Sequence, residues 1–249
     1  MNEAPPRIRL FVEAELAAGA EISLGEEQAH YLIHVMRLAE GRDVALFNGR
    51  DGEWRGIVAE VAKKKARLRV DGKIRAQAAE PDLWLLFAPV KRARIDLIVE
   101  KATELGVSKL QPVMTERTNM SRVGDERLRA IAIEAAEQCE RLSVPEFLPP
   151  VPLAKALASF PPERLLLTMD ETGAGRPIAD VLGEVKPGPA AVLVGPEGGF
   201  THSELDALGR LAFSVRVGLG GRILRADTAV IAALACYQAI RGDWRQPAS

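Results

Sequence analysis

The sequence predicts an α/β protein in two parts: a small N-terminal β-barrel over residues 1–77, and a larger domain over residues 78–249 built on a mostly parallel sheet. Three observations carry this reading. Before residue 77, short strand-like runs are punctuated by turn pairs such as Asn48-Gly49 and Asp71-Gly72. After Pro81, apolar runs of strand length alternate with amphipathic helical stretches, the pattern of a parallel sheet covered by helices. Two late strands, residues 190–194 and 215–219, each end in a glycine-rich loop that leads towards a helix. Such strand-end loops are where α/β proteins bind small ligands.

Composition sets outer bounds. A chain of 249 residues suits one large domain or two ordinary ones, and 47% hydrophobic content supports a sizeable core. The formal net charge of −1 gives no global sign of nucleic acid, so only local clusters can. Cys139 and Cys236 lie in apolar helical surroundings and read as reduced, buried thiols rather than a disulfide framework. The first residues carry no signal-peptide pattern, and no apolar run reaches the roughly 20 residues of a membrane span. The expectation is a cytoplasmic protein with no membrane partner.

In the first part, residues 7–12 alternate charged and apolar side chains, and residues 43–47, 54–61 and 66–70 follow as strands, the last ending at Asp71-Gly72. A helix over residues 26–38 interrupts them. On it His30 and His34 share one face, but a metal site needs further ligands, and no third close histidine or cysteine pair is present; packing or a polar contact is expected, and no metal. Arg37 ends the stretch, as an RNA-contact candidate or a helix C-terminal cation. Lys63, Lys64, Lys65, Arg67, Arg69, Lys73 and Arg75 stand against Asp71 alone. That run reads either as a solvated face or as a phosphate-contacting surface, with Lys64 and Arg67 as its candidates.

Residues 76–81 read as a linker. Beyond it come a strand at 83–88, a helix at 95–105 closed by Gly106, a strand at 107–113, a long helix at 122–142, and a strand at 165–169 followed by the loop 170–177. Ser203 and Glu204 open a polar-faced helix after the loop Gly195-Pro196-Glu197-Gly198-Gly199. From Asp227 a last apolar helix begins, with Asp227 or Thr228 as its N-cap. The glycine loops carry neither the Lys-Ser/Thr pair of a phosphate loop nor a complete dinucleotide fingerprint. Their backbone suits a nucleoside ligand without phosphate, such as S-adenosylmethionine, or no more than tight turns.

GPEGGFTHSEL from Gly195, followed by LGGRILRADTAVIAAL from Leu219, resembles the ribosomal RNA methyltransferases of the SPOUT class, and within it the family that methylates N3 of a uridine in 16S ribosomal RNA. AHYLIHVMR from Ala29, KRARIDLIVEKATELGV from Lys91, TERTN from Thr115 and EAAEQCERLSVP from Glu134 also match in order, so the resemblance covers nearly the whole chain. Two positions depart from it: Glu140 stands where glycine or another small residue is expected, and Asp227 where glutamate is expected.

The resemblance implies a PUA-like barrel followed by a SPOUT domain with a C-terminal trefoil knot, which brings together the loops after Met169, Val194 and Leu219. It implies S-adenosylmethionine held by Thr168, Gly195, Glu197, Gly198, Leu219, Gly220, Ile223 and Leu224, mostly through backbone atoms. Arg225 would stabilise the uracil anion, and Asp227 would orient Arg225 or take the proton. Lys91 and Arg117, with Arg92 and Arg94, join Arg37, Lys64 and Arg67 as RNA contacts. The implied partners are 16S ribosomal RNA, within the 30S subunit, and a second copy of the chain, with the helix 228–240 offering either an interface or ordinary core. A ribose 2′-hydroxyl or another base remains an alternative target, and a non-catalytic RNA-binding module an alternative role.

Overall fold

The structure is a computed structural model describing residues 5–62, 65–118 and 125–245, with only the backbone of Asp125 described. The chain forms two compact units, Met1–Ala79 with Ala136–Val144, and Glu80–Ala135 with Pro145–Ser249.

The first unit holds β1 (Arg9–Phe11), β2 (Glu21–Leu24), α1 (Glu26–His30), β3 (Asp43–Phe47), β4 (Glu53–Ala62) and β5 (Lys65–Arg75). They form one sheet in the order β1-β3-β4-β5-β2. Alternation turns every second side chain inward: Ile22 and Leu24 of β2 and Ala66, Leu68 and Val70 of β5 are buried, their neighbours exposed. With Val44, Leu46 and Val58 they make the core. The turn expected at Asn48-Gly49 is present, with Gly49 at φ 81° and the Asn48 Oδ1 accepting from the Arg50 and Asp51 N–H groups at 3.1 and 2.9 Å.

Three expectations need correction here. Asp71-Gly72 is no turn: β5 runs on to Arg75, and the pairings Gly56↔Val70 and Trp54↔Lys73 leave two residues opposite one, a β-bulge. The strand β2 lies in a stretch the periodicity left unassigned. The helix expected over 26–38 is α-helical only to His30; Tyr31–Val35 is a π-helical turn in which Met36 N–H donates to Tyr31 O at 2.9 Å. Arg37 then takes a left-handed conformation (φ 55°), and Leu38 N–H reaches back to Leu32 O at 2.9 Å, a helix-ending arrangement glycine usually provides.

Arg9 binds the returning segment Ala136–Val144 into this unit. Its side chain is 6% exposed; Nε donates to Glu53 Oε1 at 2.7 Å, while Nη1 and Nη2 donate to the carbonyls of Ala136 and Arg141 at 2.7 and 2.9 Å. Its guanidinium lies 4.4 Å from the Phe47 ring centre. Glu53 also accepts from Arg75 Nε at 2.8 Å, and Arg75 donates to Glu140 O at 2.8 Å.

The second unit holds β6 (Leu83–Phe87), α2 (Arg92–Glu104), β7 (Lys109–Met114), most of α3 (Asp125–Gln138), β8 (Glu146–Phe147), β9 (Val151–Pro152), α4 (Leu153–Ala158), β10 (Leu165–Met169), β11 (Arg176–Pro177), α5 (Ile178–Glu184), β12 (Ala190–Val194), α6 (His202–Gly209), β13 (Ser214–Gly218) and α7 (Ala226–Ile240). Seven strands run in the order β11-β13-β10-β12-β6-β7-β8, with β9 beside β7, and every pairing is parallel. β12 is buried at all five positions, as a central strand covered on both faces must be. Gly106 closes α2 at φ 76°, and the buried Gln238 of α7 donates to Leu105 O beside it at 2.6 Å. In α7, Val230, Ala233 and Leu234 are fully buried in the core of this unit, while Ile231, Ala232, Ala235 and Ile240 are half-buried. α7 begins at Ala226 with Arg225 as its N-cap, not at Asp227 or Thr228; Ala226 is buried and sits readily in the first turn, with Asp227 just after it favouring the helix dipole. Cys139 and Cys236 are half-buried rather than buried, and neither is in a disulfide. Among the described residues no helix is long and apolar enough to cross a membrane.

The position where glycine was expected, Glu140, has φ 62° two residues past the end of α3. Left-handed backbone costs a side-chain-bearing residue about 1 kcal/mol or more, partly offset in glycine by its freer unfolded chain. Glu140→Gly is therefore expected to hold or raise stability by up to about 1 kcal/mol, and Glu140→Val to lower it by about the same or more, in urea unfolding. In the same assay Arg9→Leu, which strands Glu53 and several carbonyls, is expected to cost about 3–5 kcal/mol.

Candidate functional site

In the second unit, β12, β10 and β13 lie side by side and end together, because Thr168 pairs with Leu193 on one side and Arg216 on the other. Their following loops enclose a cleft of about 620 Å³. Its walls are largely backbone and apolar side chains: Val194, Gly195 and Glu197 from one loop, Leu219, Gly220, Ile223 and Leu224 from another, with Arg225 at the head of α7. Met169, Asp170 and Glu171 supply the third side.

Each loop is tied down. After β12, Gly199 N–H donates to Pro196 O at 2.9 Å, closing a tight turn with Gly199 at φ 68°. The Phe200 ring lies so close under Gly195 that a Cβ there would meet it at 3.0 Å. Arg117 donates to Gly198 O at 2.6 Å, and Glu197 pairs with Arg94 of α2 at 3.3 Å. The loop leads into α6 through a capping box, Glu204 N–H donating to Thr201 Oγ1 at 3.2 Å and Thr201 N–H to Glu204 Oε2 at 2.8 Å. After β13, Gly220 takes φ 97°, which favours glycine.

Asp170 and Glu171 join the loops to one another. The Asp170 side chain is fully buried; its Oδ2 accepts from Arg216 Nε and Nη2 at 2.9 and 2.6 Å, and its Oδ1 from the Thr172 N–H and hydroxyl at 2.9 and 2.6 Å. Burial alone would raise this carboxyl, but the Thr172 hydrogen bonds and the Arg216 guanidinium together hold it below the ordinary carboxylate range. Glu171 Oε1 accepts from Phe200 N–H at 3.1 Å, linking the loop after β10 to the one after β12. Neither residue was singled out as a site residue from the sequence. The available signal was Arg216, a charged residue inside a strand-like apolar run, which demands a buried partner.

The cleft thus brings together Gly195, Glu197, Leu219, Gly220, Ile223, Leu224 and Arg225. Three expected site residues are not on its wall. Thr168 is fully buried in β10, its hydroxyl 3.2 Å from that of Ser214. Gly198 faces Arg117. Asp227 is half-buried in the first turn of α7, and its Oδ1 is buried with no hydrogen-bond partner among the described residues. Of the basic candidates, Lys91 and Arg37 are exposed, and neither makes an ion pair among the described residues. Arg117 is committed to the loop after β12. Arg67 is paired with Glu60, its Nε 2.7 Å from Oε2, and lies 3.5 Å from Glu21. Lys63 and Lys64 lie outside the described residues. His30 and His34 have ring centres 4.9 Å apart.

The sequence profile of an RNA methyltransferase domain matches residues 78–238, and that of an RNA methyltransferase PUA domain matches residues 24–71. Fold and cleft therefore define a SPOUT-class RNA methyltransferase with an N-terminal PUA domain. The ribosomal RNA small subunit methyltransferase E of Rickettsia conorii is 31% identical over 229 residues, covering 91% of this chain and 93% of that protein. The chain belongs to the ribosomal RNA small subunit methyltransferase E family. A crystal structure of that enzyme from Neisseria gonorrhoeae bound to S-adenosyl methionine superposes with a TM-score of 0.86 at 28% identity, covering 95% of this chain and 99% of that one. A Legionella pneumophila methyltransferase with bound cofactor SAM matches at 0.83 and 30% identity, covering 93% and 97%.

Asp170→Asn is expected to lower stability by about 2 kcal/mol near neutral pH, since it weakens a buried charged hydrogen-bond set. Because the folded-state carboxyl is lowered, its contribution is present above the unfolded value of about 4 and is lost as pH falls through the folded one. Denaturant midpoints of the two proteins should therefore differ at pH 7 and converge in acid.

Proposed function

We propose that the chain methylates N3 of a specific uridine in 16S ribosomal RNA, using S-adenosylmethionine held in the cleft among the three strand-end loops. The observation that carries this is the cleft itself: about 620 Å³, within the range of small-molecule sites, walled by glycine backbone and apolar side chains, with an arginine at its edge. Those walls fit a nucleoside without phosphate. Gly195, Glu197, Leu219, Gly220, Ile223 and Leu224 would hold it, mainly through backbone groups, and Thr168 and Gly198 would act from behind the wall by fixing β10 and the loop after β12. Bound there, the cofactor supplies an electrophilic methyl group.

The remaining chemistry falls to this chain. Uracil N3 is a poor nucleophile until its proton leaves, so the site must stabilise the developing anion and receive the proton. Arg225, exposed and without an ion-pair partner among the described residues, is suited to the first task. The unpartnered Oδ1 of Asp227 supports the second, since a buried acceptor without a donor favours any arrangement that brings one. Asp227 would serve equally by turning Arg225 towards the base. The base has to be reached outside a Watson-Crick pair, because pairing hides N3. Arg37, Lys91, Lys64 and Arg67, with Arg92, would meet RNA phosphates, Arg67 by exchanging its present carboxylate partners. Residues 1–77 and 78–249 would act as RNA-binding and catalytic domains. The enzyme would carry a C-terminal trefoil knot, work as a homodimer on the 30S subunit in the cytoplasm, and need no metal.

Methyl transfer from labelled S-adenosylmethionine to 30S subunits lacking the modification, followed by nucleoside digestion, tests the reading. Wild type should yield N3-methyluridine, and Arg225→Ala should lose about 10²–10³-fold in kcat. A ribose-methylated product would overturn the target atom, and equal rates would remove Arg225 from the centre.

A further inference from the structure

Among the described residues Ile223 is the most exposed of the large apolar side chains, at 85%. A lone exposed isoleucine is ordinary on a protein surface, so its exposure alone decides nothing. Its surroundings are not ordinary. It stands on the wall of the cleft, three residues beyond Gly220, in a loop whose glycines permit a close approach of backbone to a ligand. Arg222 and Arg225 flank it, both lining the cleft, both exposed, and neither in an ion pair among the described residues. Arg225 is also the N-cap of the fifteen-residue α7 and makes no side-chain cap bond, so its guanidinium is free at the cleft edge.

We infer that the Ile223 side chain is a wedge that enters the RNA stack beside the target nucleotide and keeps the base turned into the cleft, while Arg222 and Arg225 hold the adjoining phosphates. The inference rests on the proposed RNA methyl transfer. Unstacking the one base on which an enzyme acts costs free energy, and an apolar side chain filling the vacated place offsets that cost. Phosphate contacts alone position a strand without holding a base out. An isoleucine between two cations supplies both: apolar surface for the base step, charge for the backbone on either side. The backbone of Ile223 remains available to the cofactor, and a side chain 85% exposed has room to meet RNA at the mouth of the cleft.

The test compares wild type, Ile223→Ser and Ile223→Leu on 30S subunits reconstituted with either of two unmodified 16S ribosomal RNAs. One has the natural sequence; in the other an abasic nucleotide beside the target removes the stacking partner. On natural RNA the serine variant should lose at least about tenfold in kcat with little change in KM, and the leucine variant should stay near wild type. On the abasic RNA the serine variant should recover to within about twofold of wild type, because the unstacking has already been done. Titration calorimetry with S-adenosylmethionine measures any share of the side chain in cofactor binding, which should fall well short of the loss in rate, and light scattering should give the same mass for all three proteins. Wild-type rates for the serine variant, or an equal defect on both RNAs, would overturn the wedge. Weakened cofactor binding in step with the lost rate would assign the side chain to the cofactor instead, and a change in mass would assign it to a second copy of the chain. If wild type itself transfers no methyl group to the subunits with natural RNA, the underlying reading falls and takes the wedge with it.

Discussion

The parallel register of β12, β10 and β13 is the constraint on which the site depends. Parallel strands end at the same edge of a sheet, so the three loops that follow them have one place to meet. Register alone would leave those loops free to splay. Asp170 prevents this by engaging both carboxylate oxygens, one with its own loop through Thr172 and one with Arg216 of the neighbouring strand. Glu171 then carries the connection to the loop after β12 through the Phe200 N–H. The cleft wall is thus held from behind by charge and packed against an aromatic ring, while the surface it presents is largely backbone and apolar, with Arg222 and Arg225 among its charged side chains.

What could be read from the sequence was whatever local pattern determines. The strands at 43–47, 165–169 and 190–194 are legible to the residue because each is a short apolar run bounded by polar or turn residues. The glycine loops announce themselves for the same reason, and most of the expected cofactor residues line the cleft. The misses are non-local. Asp71-Gly72 has the composition of a turn, but the partner strand β4 runs alongside it and pairing absorbs the extra residue as a bulge. The short helices α4 and α5 begin after prolines and span only six and seven residues, too few for a periodic pattern to stand out. Asp170 and Arg216 are 46 positions apart, and only the pairing of β10 with β13 makes them neighbours.

The basic residues divide by what already occupies them. Arg9, Arg117 and Arg216 use their charge inside the fold, holding carbonyls or carboxylates in place. Arg222 and Arg225 do not. Counting arginines along the chain cannot make this distinction, because a guanidinium in a structural clasp and one facing solvent carry the same letter. Glu140 shows the converse case: the expectation of glycine there matches a backbone torsion that the side chain now present does not favour.

The first unit is not continuous in sequence, since Ala136–Val144 completes it only after Glu80–Ala135 has gone to the other. During synthesis Arg9 therefore waits with its carbonyl partners unmade while most of a second sheet is still to come. Closure of that long loop delays the completion of the first unit, however early its strands pair. A fragment ending at residue 79 would keep the Arg9 contacts with Glu53 and the Phe47 ring but lose the carbonyls of Ala136 and Arg141. The first unit therefore draws on two separate stretches of chain, and a single cut after residue 79 cannot release it whole.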